Sequence, residues 1–185
     1  MPNVPRRVAA LVSVATLAVV VGGCSSSGSG NATTTSTGVT RLTTASPERV
    51  KAVGALYVHE LRSFIAAQRK RCGGRDAIQP DPASAASCRA TLARLSSRTH
   101  DFARALVFLH PPLDLEPIVA DTIDAARPVI DTVRVFPTAL CLGAVPPSAS
   151  QRAARCTPAG REVAEVVTAF ERILDRWTAE LGVGP

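Results

Sequence analysis

The sequence predicts an all-α fold, a four-helix up-down bundle, and three observations lead to it. Four stretches carry apolar residues at helical spacing, and no run of alternating β-branched residues competes with them. Four cysteines flank two of the connections between those stretches. Helices that each bear one apolar stripe bury it by packing on one another around a shared core.

The first helix is expected to open at Ser46-Pro47-Glu48. Serine caps free N–H groups, proline suits the first helical position, and glutamate favours the positive end of the helix dipole. Val50, Val53, Tyr57, Leu61, Phe64 and Ile65 then recur with helical period, ending near Cys72-Gly73-Gly74. Asp81-Pro82 opens a second helix by the same logic. Its stripe is the most regular in the chain: Ala85, Cys88, Leu92, Leu95, Thr99, Phe102, Leu106 and Leu109, in alternating steps of three and four. Pro111-Pro112 stops it.

A third helix starts between Asp114 and Pro117 and carries Leu115, Val119, Thr122, Ala126, Val129, Val133 and Phe136. Pro128 falls inside this pattern and is expected to kink the helix or split it. Thr157-Pro158 opens the fourth, with Val163, Val166, Phe170, Ile173, Leu174, Trp177 and Leu181 on one face and Gly182 as its stop. The helical domain therefore covers residues 46–185.

Cys72 and Cys88 flank the first connection, and Cys141 and Cys156 the third. An even count in an exported domain argues for two disulfides at the interhelix connections, with three pairings open. Local pairing closes two loops of about 15 residues, each stabilising by roughly 3 kcal/mol in the chain-entropy model, and is preferred. Because both connections lie at one end of an up-down bundle, the crossed pairing 72–156 with 88–141 is also geometrically open.

The N-terminus carries an address. Met1 to Arg7 is short and basic, and Val8 to Val21 is a weakly polar to apolar run too short to anchor by spanning a bilayer. Val21-Gly22-Gly23-Cys24 follows, an aliphatic residue, two small ones and a cysteine. This resembles the lipobox of bacterial lipoproteins. The resemblance implies that residues 1–23 are a signal peptide removed before Cys24, whose thiol carries lipid. It covers about the first 24 residues and implies nothing about the domain. Residues 24–45 then form a Gly/Ser/Thr tether, expected to be a flexible coil holding the domain on the order of 25 Å from the headgroups. Arginine supplies all but two of the 21 basic residues, and Ala, Val and Pro are abundant, a bias that resembles a GC-rich, actinobacterial source.

Net charge is +6, and removal of Arg6 and Arg7 with no acids leaves +4. That is too mild for nucleic acid, which rewards a concentrated basic face through counterion release. No phosphate-cradling glycine loop, Cys-x-x-Cys, His-Glu-x-x-His, Glu-x-x-His pair or Gly-x-Ser-x-Gly elbow occurs. His59, His100 and His110 read as surface or boundary residues rather than ligands, so no metal and no cofactor is expected. Trp177, Phe170, Phe102, Tyr57 and Phe64 read as core, or as the lining of a site for a small apolar or haem-like ligand within the bundle.

The up-down order gathers Arg69, Lys70, Arg71, Arg75, Arg89, Arg152, Arg155 and Arg161 at the disulfide end, away from the tether. Asp114, Glu116, Asp121, Asp124, Asp175 and Glu180 gather at the other. Arg69, Lys70, Arg71 and Arg75 are the candidate basic contact for an anionic partner, although cations at a helix C-terminus are favourable in any case. The expected function is a non-enzymatic binding or scaffold module of the cell envelope, anchored to the membrane by lipid. The alternative is a ligand carrier.

Overall fold

The structure is a computed structural model in which residues 44–74 and 77–183 are described, and these are all-helical with no strand among them. The signal segment, Cys24, the tether to residue 43 and Arg75 lie outside the described residues. Four long helices dominate: α1 (Pro47–Cys72), α2 (Ala85–Val107), α3 (Glu116–Val135) and α6 (Thr157–Leu181). The last connection holds α4 (Thr138–Cys141), α5 (Ala149–Gln151) and a π turn (Arg152–Cys156). None of the described helices is long and apolar enough to cross a membrane.

α1 packs on α2 and α6, and α3 packs on the same two helices. Partners along the α1–α2 and α1–α6 pairs run in opposite directions. Glu60 of α1 meets Arg98 of α2, while the disulfide Cys72–Cys88 joins the end of one to the start of the other. Arg62 meets Asp175 and Arg69 meets Glu171 across α1 and α6. At the opposite end, the backbone N–H of Ala45 donates to the carbonyl of His110 at 2.9 Å, clasping the entry of α1 to the exit of α2. His110 adopts φ +42°, a left-handed conformation. Histidine is among the few residues enriched there besides glycine.

Ser46 caps α1 as expected, its Oγ accepting from the N–H of Arg49 at 3.3 Å. The Glu48 carboxyl is held below its ordinary range by backbone N–H donation and the Ser46 hydroxyl. α2 starts three residues after the expected Asp81-Pro82. Asp81 instead caps a preceding turn, accepting from the N–H groups of Ala83 and Ser84 at 2.9 and 3.0 Å and from the Ser84 hydroxyl at 2.8 Å. These bonds, the Ser84 hydroxyl first, hold the Asp81 carboxyl below its usual range. All eight stripe positions of the second helix and all seven of the third are buried.

Pro128 does not split α3. It and Asp124, whose carbonyl lacks an i+4 donor in consequence, both lie on the exposed face, where water can satisfy that oxygen. Helical backbone also begins earlier than the expected Thr157. A capping box of Ser148 and Gln151 opens α5, and the chain runs through the π turn directly into α6. Pro158 offers no N–H and its ring crowds the carbonyl four residues back. Widening the turn, with the Thr157 N–H bonded to the Arg152 carbonyl, accommodates it.

The cysteines pair locally. Cys72–Cys88 and Cys141–Cys156 have Cα–Cα separations of 4.9 and 5.5 Å. The first connection also packs on the start of α6, since Gly160 sits so close to the backbone of Ile78 that a methyl there would lie 2.7 Å from its nitrogen.

Candidate functional site

At the centre of the domain, Trp177 is fully buried and its Nε1–H donates to Thr122 Oγ1 at 2.8 Å. Phe102 packs against its ring with centroids 5.6 Å apart, Tyr57 stacks on Phe102 at 5.1 Å, and the Arg98 guanidinium covers Tyr57 at 4.9 Å. Four of the five aromatic residues considered as a ligand lining thus sit in or against the core with these partners or, for Phe170, fully buried. Phe64 is half-buried against the same core.

The candidate basic contact is divided. Arg69 is half-buried and forms a two-pronged pair with Glu171 of α6. Arg71 is exposed and donates to Thr91 Oγ1 at 3.2 Å, and Lys70 is exposed. Arg75 lies outside the described residues. At the opposite end Asp121 and Glu180 bracket Arg176, and Asp175 takes Arg62, so three of the six expected near-end acids are paired.

The structure brings another set of cations together. Between α2 and α3 runs a groove formed by two adjoining depressions of about 420 and 480 Å³ that share His100 and Ile130. Each lies within the ~300–1,000 Å³ range typical of small-molecule sites. The first is lined by Ala103, Val107, Phe108, Ile123 and Ile130 with Arg104, Arg127 and Asp131 at its margins. The second is floored by Leu92, Ala93, Ile130 and Val133, with Arg89, Arg134, Ser96, Ser97 and Thr138 around it. Phe108 is 71% exposed and Val107 54%, neighbours in sequence that extend the apolar surface at this end.

Four arginines therefore rim one apolar groove against one carboxylate. Asp131 lies 3.3 Å from Arg134. Among the described residues Arg89, Arg104 and Arg127 meet no carboxylate within ion-pair distance. Unpaired guanidinium forks beside apolar surface can hold a carboxylate or phosphate in two-pronged fashion while an attached hydrocarbon fills the groove.

Two sequence signals bore on this face. Ile123 and Ile130 are apolar, seven residues apart and off the core stripe, and Arg127 and Arg134 repeat the same spacing beside them. The α3 stripe marks what that helix buries, whereas these residues lie at its margin. His59, His100 and His110 are all exposed, with His100 at the junction of the two depressions. Among the described residues no cluster of His, Cys, Asp and Glu is arranged to hold a metal. Comparison of the chain with protein-family models, with curated proteins and with solved structures returns no match, so the groove is read from its own residues alone.

Proposed function

We propose that this chain is a non-enzymatic binding module of the bacterial envelope, held at the membrane by lipid on Cys24 and working through the α2–α3 face. The observation that carries the binding reading is the arginine-rimmed apolar groove, which joins exposed hydrocarbon to four arginines, three of which meet no carboxylate among the described residues. The lipobox resemblance of Val21-Gly22-Gly23-Cys24 supports the anchor, and two cysteine pairs at disulfide distance support an oxidising space outside the cytoplasm. The partner carries negative charge. It meets Arg89, Arg104, Arg127 and Arg134 rather than Arg69, whose fork is occupied by Glu171.

Metabolic labelling with an alkyne-bearing palmitate tests the anchor. The parent chain takes up label and fractionates with membranes, whereas Cys24→Ala does neither. Unchanged membrane retention of Cys24→Ala would overturn this part. Neutralising Arg89 and Arg134 together tests the binding face: it weakens capture of anionic envelope material while Lys70→Gln does not.

A further inference from the structure

Three of the four seams between neighbouring long helices are crossed by ion pairs. Glu60 meets Arg98 across α1 and α2, and Asp175 and Glu171 meet Arg62 and Arg69 across α1 and α6. Asp121 meets Arg176 at 2.6 Å across α3 and α6. Among the described residues no pair crosses α2 and α3, although these helices pack on each other. Their outer edges are cationic on both sides instead, Arg89 and Arg104 on α2 and Arg127 and Arg134 on α3. Asp131 is the one acid lining the groove among the described residues, and it lies 3.3 Å from Arg134. The chain supplies its own carboxylates at the other seams and leaves this one short of them.

Between the arginines the floor is apolar along both depressions, with Ala93, Ala103 and Val107 from α2 and Ile123, Ile130 and Val133 from α3. Ile123, Arg127, Ile130 and Arg134 follow one another in steps of four, three and four, a second stripe beside the one that faces the core. The groove side of α2 repeats in the same steps from Arg89 to Val107. Apolar floor with cations on both edges and at both ends complements a helix whose apolar stripe is flanked by acids. An anionic polysaccharide carries charge with no such stripe, and a bilayer surface is flat where this face is concave.

We propose that the α2–α3 groove takes an acidic amphipathic helix of a partner protein. Its apolar stripe lies on the floor, with carboxylates toward Arg89 and Arg134 at one end and Arg104 and Arg127 at the other. This deepens the reading of that face as the binding surface and rests on it. From Arg89 to Phe108 the groove runs on the order of 28 Å, about five turns of a docked helix. Arg89 and Arg104 are 15 residues apart on α2, and Arg127 and Arg134 are 7 apart on α3. Those separations are about 22 and 11 Å, so the acids that meet the two ends stand roughly three turns apart on the partner. Ala93, Ser96 and Ala103 are small, which lets a helix backbone come close to α2. Asp131 competes with the partner for one fork of the four.

Titration of the full-length chain in phosphatidylcholine nanodiscs with a fluorescein-labelled peptide, read by anisotropy against empty nanodiscs, tests this. The probe is a synthetic helix of about 18 residues, with leucine at steps of three and four, glutamate flanking that stripe and alanine elsewhere. It is expected to bind at least tenfold tighter than the same helix with lysine for every glutamate. The same margin is expected over a peptide of identical composition scrambled to break the stripe. Arg89→Gln/Arg134→Gln and Arg104→Gln/Arg127→Gln each weaken binding by about fivefold, the worth of two exposed ion pairs, with unchanged helical circular dichroism. Lys70→Gln leaves it unchanged.

Equal binding of the lysine-flanked or scrambled peptide would overturn the assignment, as would binding indifferent to either arginine pair. Equally effective competition by polyglutamate or by phosphatidylglycerol vesicles would overturn it too, since charge alone would then suffice. If the peptide fails to bind while capture of anionic envelope material still depends on Arg89 and Arg134, only the helix is overturned. Capture indifferent to both arginines overturns the face itself.

Discussion

The ring of Trp177 packs directly on the backbone of α1 at Gly54, where a methyl group would overlap Cε3 and Cζ3 of the indole. The missing side chain lets α6 approach α1 and puts the one tryptophan of the chain at the middle of the core, in reach of Thr122.

Gly54→Ala is therefore expected to reverse the usual sign. Within a helix, alanine normally stabilises relative to glycine by about 1 kcal/mol. Here overpacking against a buried, hydrogen-bonded ring costs up to about 3 kcal/mol and outweighs that, for a net loss of about 1–2 kcal/mol. Urea unfolding followed by Trp177 fluorescence measures it, and a stabilised variant would refute the contact.

Thr122→Val leaves the indole N–H of Trp177 buried without an acceptor and is expected to cost about 1–3 kcal/mol. Thr122→Ser keeps the oxygen and costs less. The two variants compared by the same unfolding measurement separate the hydrogen bond from simple loss of volume.

Removing Cys72–Cys88 or Cys141–Cys156 by paired serine substitution is expected to destabilise by about 2–4 kcal/mol each. Peptide mapping of the unreduced parent should give the two local linkages. Recovery of a 72–156 peptide would contradict the arrangement found here.

Arg69–Glu171 and Arg62–Asp175 join the same two helices yet should differ in strength. Both partners of the first are 23% exposed and the fork is two-pronged, whereas Asp175 is 61% exposed. A double-mutant cycle is expected to give about 1 kcal/mol for the first pair and close to zero for the second. Equal couplings would show that geometry and burial do not separate them.

The Asp81 carboxyl, bonded by Ser84 and Ala83, should titrate below the range of an unrestrained aspartate. Since the folded value is the lower one, the cap contributes stability above the unfolded-state value and loses it as pH falls through the folded one. Carboxyl carbon chemical shifts followed against pH check this, and Ser84→Ala should raise the midpoint. No change on removing that hydroxyl would count against it as the main cause.

Periodicity was enough to read α2 and α3, because each presents one uninterrupted stripe and every stripe residue is buried. α1 is rotated from its expected face. Gly54, Val58 and Gln68 are buried, while Val53, Tyr57 and Phe64 lie at its edge. A glycine carries no hydropathy signal, and only the bulk of Trp177 on another helix explains why the core turns toward it. The π turn was equally hidden, since Thr157-Pro158 reads as a start whether or not helix precedes it. The groove was illegible for a third reason. Its cations come from positions 89 to 134 on two helices, and only antiparallel packing sets them on facing rims.

The clasp between Ala45 and His110 also decides how the domain answers a pull on the segment ahead of it. If residue 45 were pulled while α2 and α3 were held, α1 would strip from its first turn, which a single backbone hydrogen bond closes onto the end of α2. Stripping halts at Cys72, where the sulfur bridge passes the force straight to α2 and leaves the stretch from residue 73 to 87 slack. The 27 steps from residue 45 to 72 span about 40 Å as helix and on the order of 95 Å when stretched, a built-in extension of roughly 55 Å that ends at a covalent stop.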